Sequence, residues 1–318
     1  MAGSANISPS EGAGVGPVVL VGQARSGSTL LAAMLNRAGG LMINDAYALQ
    51  AADELGLTRA PRPDAAERYR AACLDILRRR SVSAPPAPLH RSAVISPEAL
   101  ARASRVQGGG WAEIWGGMLR AAAQGRAFHG WNTPPDHLRA DEILSAFPTA
   151  RFVFLMRDPY AVLRSYKHLP EYWGRGRARY HPALQARAWA ASARSLRRLS
   201  ARHPQAVHAL RYEDLLADPG RVMAGLARFL GVALPAPTPD ELPRNASRAG
   251  AGLTRAELWV ARRALGAEAA AMGYAPPSPE GLGLGGLLGR SLLAGVYYAG
   301  AALTSRDMRG RMLRLARA

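Results

Sequence analysis

The chain has 318 residues, is 48% hydrophobic and carries a formal net charge of +18. This length and apolar content allow a sizeable buried core in one or two domains and exclude a largely disordered chain. A single cysteine, Cys73, excludes an intrachain disulfide framework and a thiolate metal cluster, and fits a reducing, cytoplasmic setting.

The charge raises the question of a polyanion partner. The cations are almost all arginine, with Lys167 the only lysine, and they are scattered rather than gathered in one tract. With abundant alanine, glycine and proline they read as a compositional bias, so no nucleic-acid partner is expected. A basic field would still concentrate an anionic cofactor or an acidic acceptor.

Residues 1–16 are small and Gly/Ser-rich, show no charged-then-apolar secretory pattern, and are expected to be a disordered lead. An apolar strand over Val18–Val21 then enters a Gly/Ser/Thr loop that opens an Ala/Leu-rich helix. Such a turn gathers unpaired backbone N–H groups and the positive end of a helix dipole around one anion. The expected phosphate cradle is Gln23, Ala24, Arg25, Ser26, Gly27, Ser28, Thr29 and Leu30. The spacing Gly22-x4-Gly27-Ser28-Thr29 imitates a nucleoside-triphosphate P-loop, but Ser28 stands where the lysine belongs. The cation has moved to Arg25, which argues against γ-phosphate chemistry.

A second strand is expected over Leu41–Asn44, with Asp45 at its end. Residues 58–126 read as a helical insertion, either an acceptor lid or a packing appendage. It holds a helix over Asp64–Arg80, a proline-rich loop at Ser83–Pro88, a helix over Pro97–Val106, a Gly108–Gly110 hinge and a helix over Trp111–Ala123. Strands follow at Ala127–Trp131, which contains His129, at Phe152–Met156, and at Ala206–Arg211. Short apolar strands separated by helical crossovers predict an α/β fold: a mainly parallel sheet of about five strands, flanked by helices. Arg157 leaves the Phe152–Met156 strand as a fixed fork of donors, and Ser165 lies two turns down the next helix. One cradle plus an Arg…Ser pair on another strand points to a nucleotide with two separate phosphate groups.

Here the motifs reach a family. The segments Gly22-x-x-Arg25-Ser26-Gly27-Ser28-Thr29-Leu30-Leu31 and Arg157-Asp158-Pro159-x5-Ser165 resemble the sulfotransferases that use 3′-phosphoadenosine-5′-phosphosulfate (PAPS). The Arg-Ser-Gly form is similar to the carbohydrate and tyrosylprotein branch, whereas the cytosolic branch carries Lys-Ser-Gly. Further matches are the segment from Leu210 to Pro219, with its helix ending Phe229-Leu230-Gly231-Val232, and Trp131-Asn132-Thr133-Pro134, where many relatives read Glu-Lys-Thr-Pro. The resemblance covers roughly residues 17–274.

It implies a P-loop-containing three-layer fold and transfer of a sulfuryl group to a hydroxyl of a small-molecule, glycan or glycolipid acceptor, without a metal. Arg25, Ser28 and Thr29 would meet the 5′-phosphate, Arg157 and Ser165 the 3′-phosphate, and Tyr212 would lie near the adenine. Relatives in the tyrosylprotein branch carry a glutamate shortly after the second strand, so Asp45 is the expected general base and His129 the second candidate. Asn132 departs from the pattern, standing where relatives carry a lysine near the transferring group. A P-loop kinase and a non-catalytic nucleotide- or polyanion-binding protein remain the competing readings. Trp111, Trp115, Trp131, Tyr172 and Trp173 are candidates for an acceptor pocket or for core.

Beyond Tyr274 the prolines at 276, 277 and 279 signal a linker. Gly281–Leu303 is apolar but glycine-rich and interrupted by Arg290, which argues against a membrane span. With the basic amphipathic stretch from Arg306 to Ala318, the region 275–318 is expected to be a linker followed by a basic amphipathic helical tail. It either docks on the domain or makes a peripheral membrane contact through residues 281–318.

Overall fold

The structure is a computed structural model that describes residues 16–60, 62–82, 93–168, 180–235, 252–304 and 310. The Ser83–Pro88 loop, Tyr172, Trp173 and the basic stretch after residue 304, apart from Gly310, lie outside these described residues.

Strand β1 (Val18–Gly22) is buried along its whole length and leads into helix α1 (Ser28–Arg37). Strand β2 (Leu41–Asn44) and helix α2 (Ala48–Glu54) follow. The insertion begins with α3 (Pro63–Arg80), whose first-turn Pro63 and Asp64 and last-turn Arg78, Arg79 and Arg80 suit the two ends of a helix dipole. A short parallel pair, β3 (Ser81–Val82) and β4 (Ala93–Val94), precedes α4 (Pro97–Ser104) and α5 (Trp111–Ala122). Strand β5 (His129–Asn132) passes through a 3-10 turn at Pro134–Arg139 into α6 (Ala140–Ala146). Strand β6 (Arg151–Met156) leads into α7 (Pro159–Lys167), and α8 (Pro182–Arg202) leads into β7 (Val207–Arg211). The chain continues through α9 (Tyr212–Ala217), α10 (Pro219–Leu230), α11 (Arg255–Leu265), α12 (Glu268–Ala271) and α13 (Leu284–Thr304).

Five strands make one parallel sheet in the order β2-β5-β1-β6-β7. The expected α/β architecture is therefore present. Because every strand runs the same way, the segments after β1, β2, β5, β6 and β7 all emerge at one edge. The chain moves to one side of β1 to form β2 and β5, then to the other side for β6 and β7. Ligands of open α/β sheets bind outside the carboxyl ends of the strands at such a reversal.

The insertion is not a detached flap. Tyr69, Cys73 and Leu77 of α3 and Ile114 and Trp115 of α5 are buried in the same apolar cluster as Val19, Ile43 and Phe154 of the sheet. Trp111, Trp115 and Trp131 belong to that core rather than to a pocket. Trp115 packs edge-on to Trp131 at 6.3 Å, and Trp111 packs edge-on to Phe147 at 5.5 Å.

Candidate active site

Two glycines shape the cradle. At Gly22 (φ 143°) a Cβ would lie 2.2 Å from the carbonyl oxygen of Leu155, so only glycine lets β1 leave the sheet this close to β6. Gly27 (φ 98°) caps α1, and a Cβ there would lie 2.4 Å from the Tyr212 ring. Between them Arg25 also adopts a left-handed backbone, φ 74°. The first bonds within α1 run from the Leu30 and Leu31 N–H groups to Gly27 O, at 3.0 and 3.2 Å. The amides of Gly27, Ser28 and Thr29 precede those bonds and sit where a helix N-terminus receives an anion. Ser28 is buried and Thr29 half-buried, while Gln23, Ser26 and Leu30 are buried around them. Ser26 Oγ is buried with no partner among the described residues. A phosphate oxygen would satisfy that hydroxyl, so the cradle fits the group that the sequence implies.

The neighbouring strand supplies the second cation. Register places Gly22 beside Leu155, so the turn after β6 lies against the loop after β1. Arg157 Nη1 donates to Arg25 O at 3.0 Å, and the guanidinium lies 4.5 Å from the centre of the Tyr212 ring. Arg25 Nε donates to Ser165 Oγ at 3.1 Å. The sequence suggested separate subsites, Arg25 for one phosphate and Arg157 with Ser165 for the other. The structure joins them in one continuous cluster, with Ser165 bonded to Arg25.

Arg157 is itself anchored, partly by Trp189 and Tyr274, which lie outside the quoted motifs, and partly by motif residues that had been given no role. Trp189 Nε1 donates to Arg157 O at 2.8 Å. The Asp158 N–H donates to Glu213 Oε1 at 2.9 Å, and Tyr274 O–H donates to Glu213 Oε2 at 3.2 Å. Asp158 caps α7 by accepting from the Tyr160 N–H at 2.8 Å. Burial lowers the Arg157 pKa, opposed by Tyr212, Glu213 and Asp158, and burial is also the largest cause of a raised Asp158 pKa. Glu213 sits between two motif residues, Tyr212 and Asp214, and that position was the available signal for it.

Asp45 follows β2 in left-handed backbone, φ 46°. Its Oδ2 lies 4.0 Å from Nη1 of Arg80, the last residue of α3. Only β5 separates β2 from β1, which puts Asp45 on the order of 10 Å along the sheet edge from the cradle. Asn132 ends the intervening strand, fully buried, and its Nδ2 donates to Asn44 Oδ1 at 2.8 Å. Thus Asn132 ties β5 to β2 rather than reaching out as a long cation would.

His129 is not brought to this edge. It begins β5, opposite Leu41, three residues before Asn132 and at the other end of the sheet. Burial, with Arg120 nearby, lowers its pKa to about 4. Two cavities, of about 550 and 710 Å3, also lie away from the cradle, the first bordered by His137 and Arg198 and the second by Tyr160 and Trp259.

The sulfotransferase domain of the Synechococcus PCC 7002 olefin synthase is 20% identical over 82% of this chain and 95% of that domain, with a TM-score of 0.50, a likeness of fold. The sulfotransferase domain of the curacin biosynthetic pathway is 19% identical over 82% of this chain and 99% of that domain, with a TM-score of 0.49. Sulfotransferase STF9 from Mycobacterium avium is 17% identical over 85% of this chain and 79% of its own, with a TM-score of 0.46. No match is found among curated proteins. The sulfotransferase family model matches residues 17–236, which include the cradle, Arg157, Ser165 and Tyr212, and the chain belongs to that family as a sulfotransferase enzyme.

Proposed function

We propose that the protein transfers the sulfuryl group of PAPS to a hydroxyl of a small-molecule, glycan or glycolipid acceptor by in-line displacement. The observation that carries the donor is the joined cluster of cradle, Arg25, Ser165 and Arg157 at the point where strand order reverses. A single-phosphate site would need only the cradle.

PAPS, when bound, supplies an activated sulfuryl group on a 5′-phosphate leaving group. The amides of Gly27, Ser28 and Thr29 and the Arg25 guanidinium stabilise the negative charge that grows on the leaving oxygen. The Arg157 guanidinium meets the 3′-phosphate as a charged partner. The Ser165 hydroxyl accepts from Arg25 and keeps its own proton to donate. Tyr212, with Arg157 over one face, supplies an aromatic surface for the adenine. Asp45 takes the proton of the attacking hydroxyl as the new S–O bond forms and the bond to the 5′-phosphate breaks. No step calls for a divalent metal. Arg80 beside Asp45 makes the insertion one wall of the acceptor side. The catalytic unit is residues 17–274, and the lone buried Cys73 supports a cytoplasmic setting.

The donor assignment is tested by calorimetry with 3′,5′-adenosine bisphosphate and 5′-AMP. A charge-assisted contact contributes about 2–3 kcal/mol, so Arg157→Ala is expected to weaken the bisphosphate about a hundredfold and AMP far less. Equal weakening of both ligands overturns the assignment.

A further inference from the structure

Helix α13 is fastened to the domain along one side. Arg290 Nε lies 3.8 Å from Glu257 Oε1, and the Arg290 guanidinium lies 5.0 Å from the centre of the Tyr180 ring. His181 Nε2 and Ser291 Oγ are 3.0 Å apart, Gln185 Nε2 donates to Tyr298 O–H at 3.2 Å, and Ala294 is buried. Glu257 is well held: burial opposes its charge, but the Thr254 N–H, Lys167 and Arg290 together keep its carboxyl below the usual range. The helix is therefore oriented on the domain.

The opposite side is apolar and open. Leu284, Leu288, Leu292 and Val296 recur every fourth residue and are 66–74% exposed, and Leu293 and Leu303 are exposed as well. Residues four apart lie one above another on a helix, so these side chains form one stripe. Apolar surface of this extent, held outward by anchored neighbours, marks an interaction face. Trp259, also exposed, stands on α11, the helix against which α13 packs, with the Arg263 guanidinium 5.1 Å from its ring centre.

Charge decides the occupant. A second copy of a chain carrying +18 is repelled, whereas an anionic surface is attracted. Immediately beyond α13 the sequence carries Arg306, Arg309, Arg311, Arg314 and Arg317 against one acid, Asp307. No helix among the described residues is long and apolar enough to cross a membrane. An apolar stripe joined to excess positive charge suits the plane of an anionic bilayer, where leucines enter the acyl boundary and arginines meet headgroups.

We propose that the exposed stripe of α13 docks on an anionic lipid surface. The test is co-sedimentation of the whole protein with phosphatidylcholine vesicles that contain or lack phosphatidylserine, at low and physiological salt. The wild-type protein is expected to bind the phosphatidylserine vesicles at least tenfold more tightly, and more weakly as salt rises. Leu288→Glu with Leu292→Glu is expected to reduce that binding at least tenfold while the thermal midpoint and 3′,5′-adenosine bisphosphate affinity stay unchanged. The proposal is overturned by failure to bind phosphatidylserine vesicles, or by equal binding of the double variant. It is also overturned if light scattering shows a dimer that the double variant splits. Bisphosphate binding is read separately, so failure of the lipid proposal leaves the donor assignment standing.

Discussion

Arg25 and Asp45 both occupy left-handed backbone, at φ 74° and 46°, where side chains other than Gly, Asn and Asp are uncommon. Strain of this kind persists where neighbouring contacts impose it. Arg25 is fixed from both ends, its carbonyl accepting from Arg157 and its Nε donating to Ser165. Asp45 permits a clean substitution, because asparagine has the same shape and tolerates the same backbone. If Asp45 is the proton acceptor, Asp45→Asn lowers kcat by about 10²–10⁴-fold, while calorimetry shows little change in bisphosphate affinity. A near-wild-type kcat would remove Asp45 from the mechanism. Residue types and motif spacing made Arg25, Arg157 and Tyr212 visible in the sequence. Trp189 and Tyr274 were not, because each acts by holding the turn around Arg157, and a hydrogen bond between distant segments has no local pattern; Glu213 lay within the Leu210–Pro219 match, but its bond to the Asp158 N–H did not show there.

At the scale of elements, the cradle is a contact between the start of α1 and the start of α9. Gly27 leaves the space that the Tyr212 ring fills, so the loop and that ring fit only together. Gly27→Ala would meet both the ring and an unfavourable φ of 98°, the latter alone costing roughly 1–2 kcal/mol. The variant is expected to melt at lower temperature and bind the bisphosphate at least tenfold more weakly, as read by scanning fluorimetry and calorimetry. Unchanged affinity would mean that Tyr212 does not help form the nucleotide site. All five sheet strands and the three insertion helices lie within two residues of their expected bounds. Continuous apolar runs and proline or glycine boundaries are local signals, and they survive in the fold. The insertion illustrates the limit. Its helices were legible, but their burial in the main core depended on distant residues such as Val19 and Phe154.

For the whole molecule, histidines shielded beside arginines contribute a dependence on acid, His137 and His129 most strongly, with His181 and His208 lowered in the same direction. Burial, aided by Arg198, lowers the His137 pKa to about 3, and His129 is lowered to about 4, both from an ordinary 6.5. Above pH 6.5 neither the folded nor the unfolded state protonates them, and their full contribution to stability is present. As pH falls below 6.5 the unfolded chain binds protons that the fold refuses. Stability then declines by roughly 1.4 kcal/mol per pH unit for each histidine until the folded values are reached. Urea unfolding at pH 6.5 and 5 should show this loss, and His137→Gln should remove a measurable part of it. An identical pH dependence in the variant would place the acid sensitivity elsewhere.

The sequence by itself determined the strand–cradle–helix unit, the sheet class, the family motifs and the cationic character, because each is written in neighbouring residues. Tertiary structure decided which of these meet. Parallel pairing put Arg157 against the cradle and joined Ser165 to Arg25, while the same pairing sent His129 to the far end of its strand. It also turned Trp111, Trp115 and Trp131 into core and left the leucines of α13 facing outward. The physical reason is common to all of these. A side chain's role depends on which surfaces remain after distant elements pack, and packing order along a sheet is not encoded in any short stretch of chain.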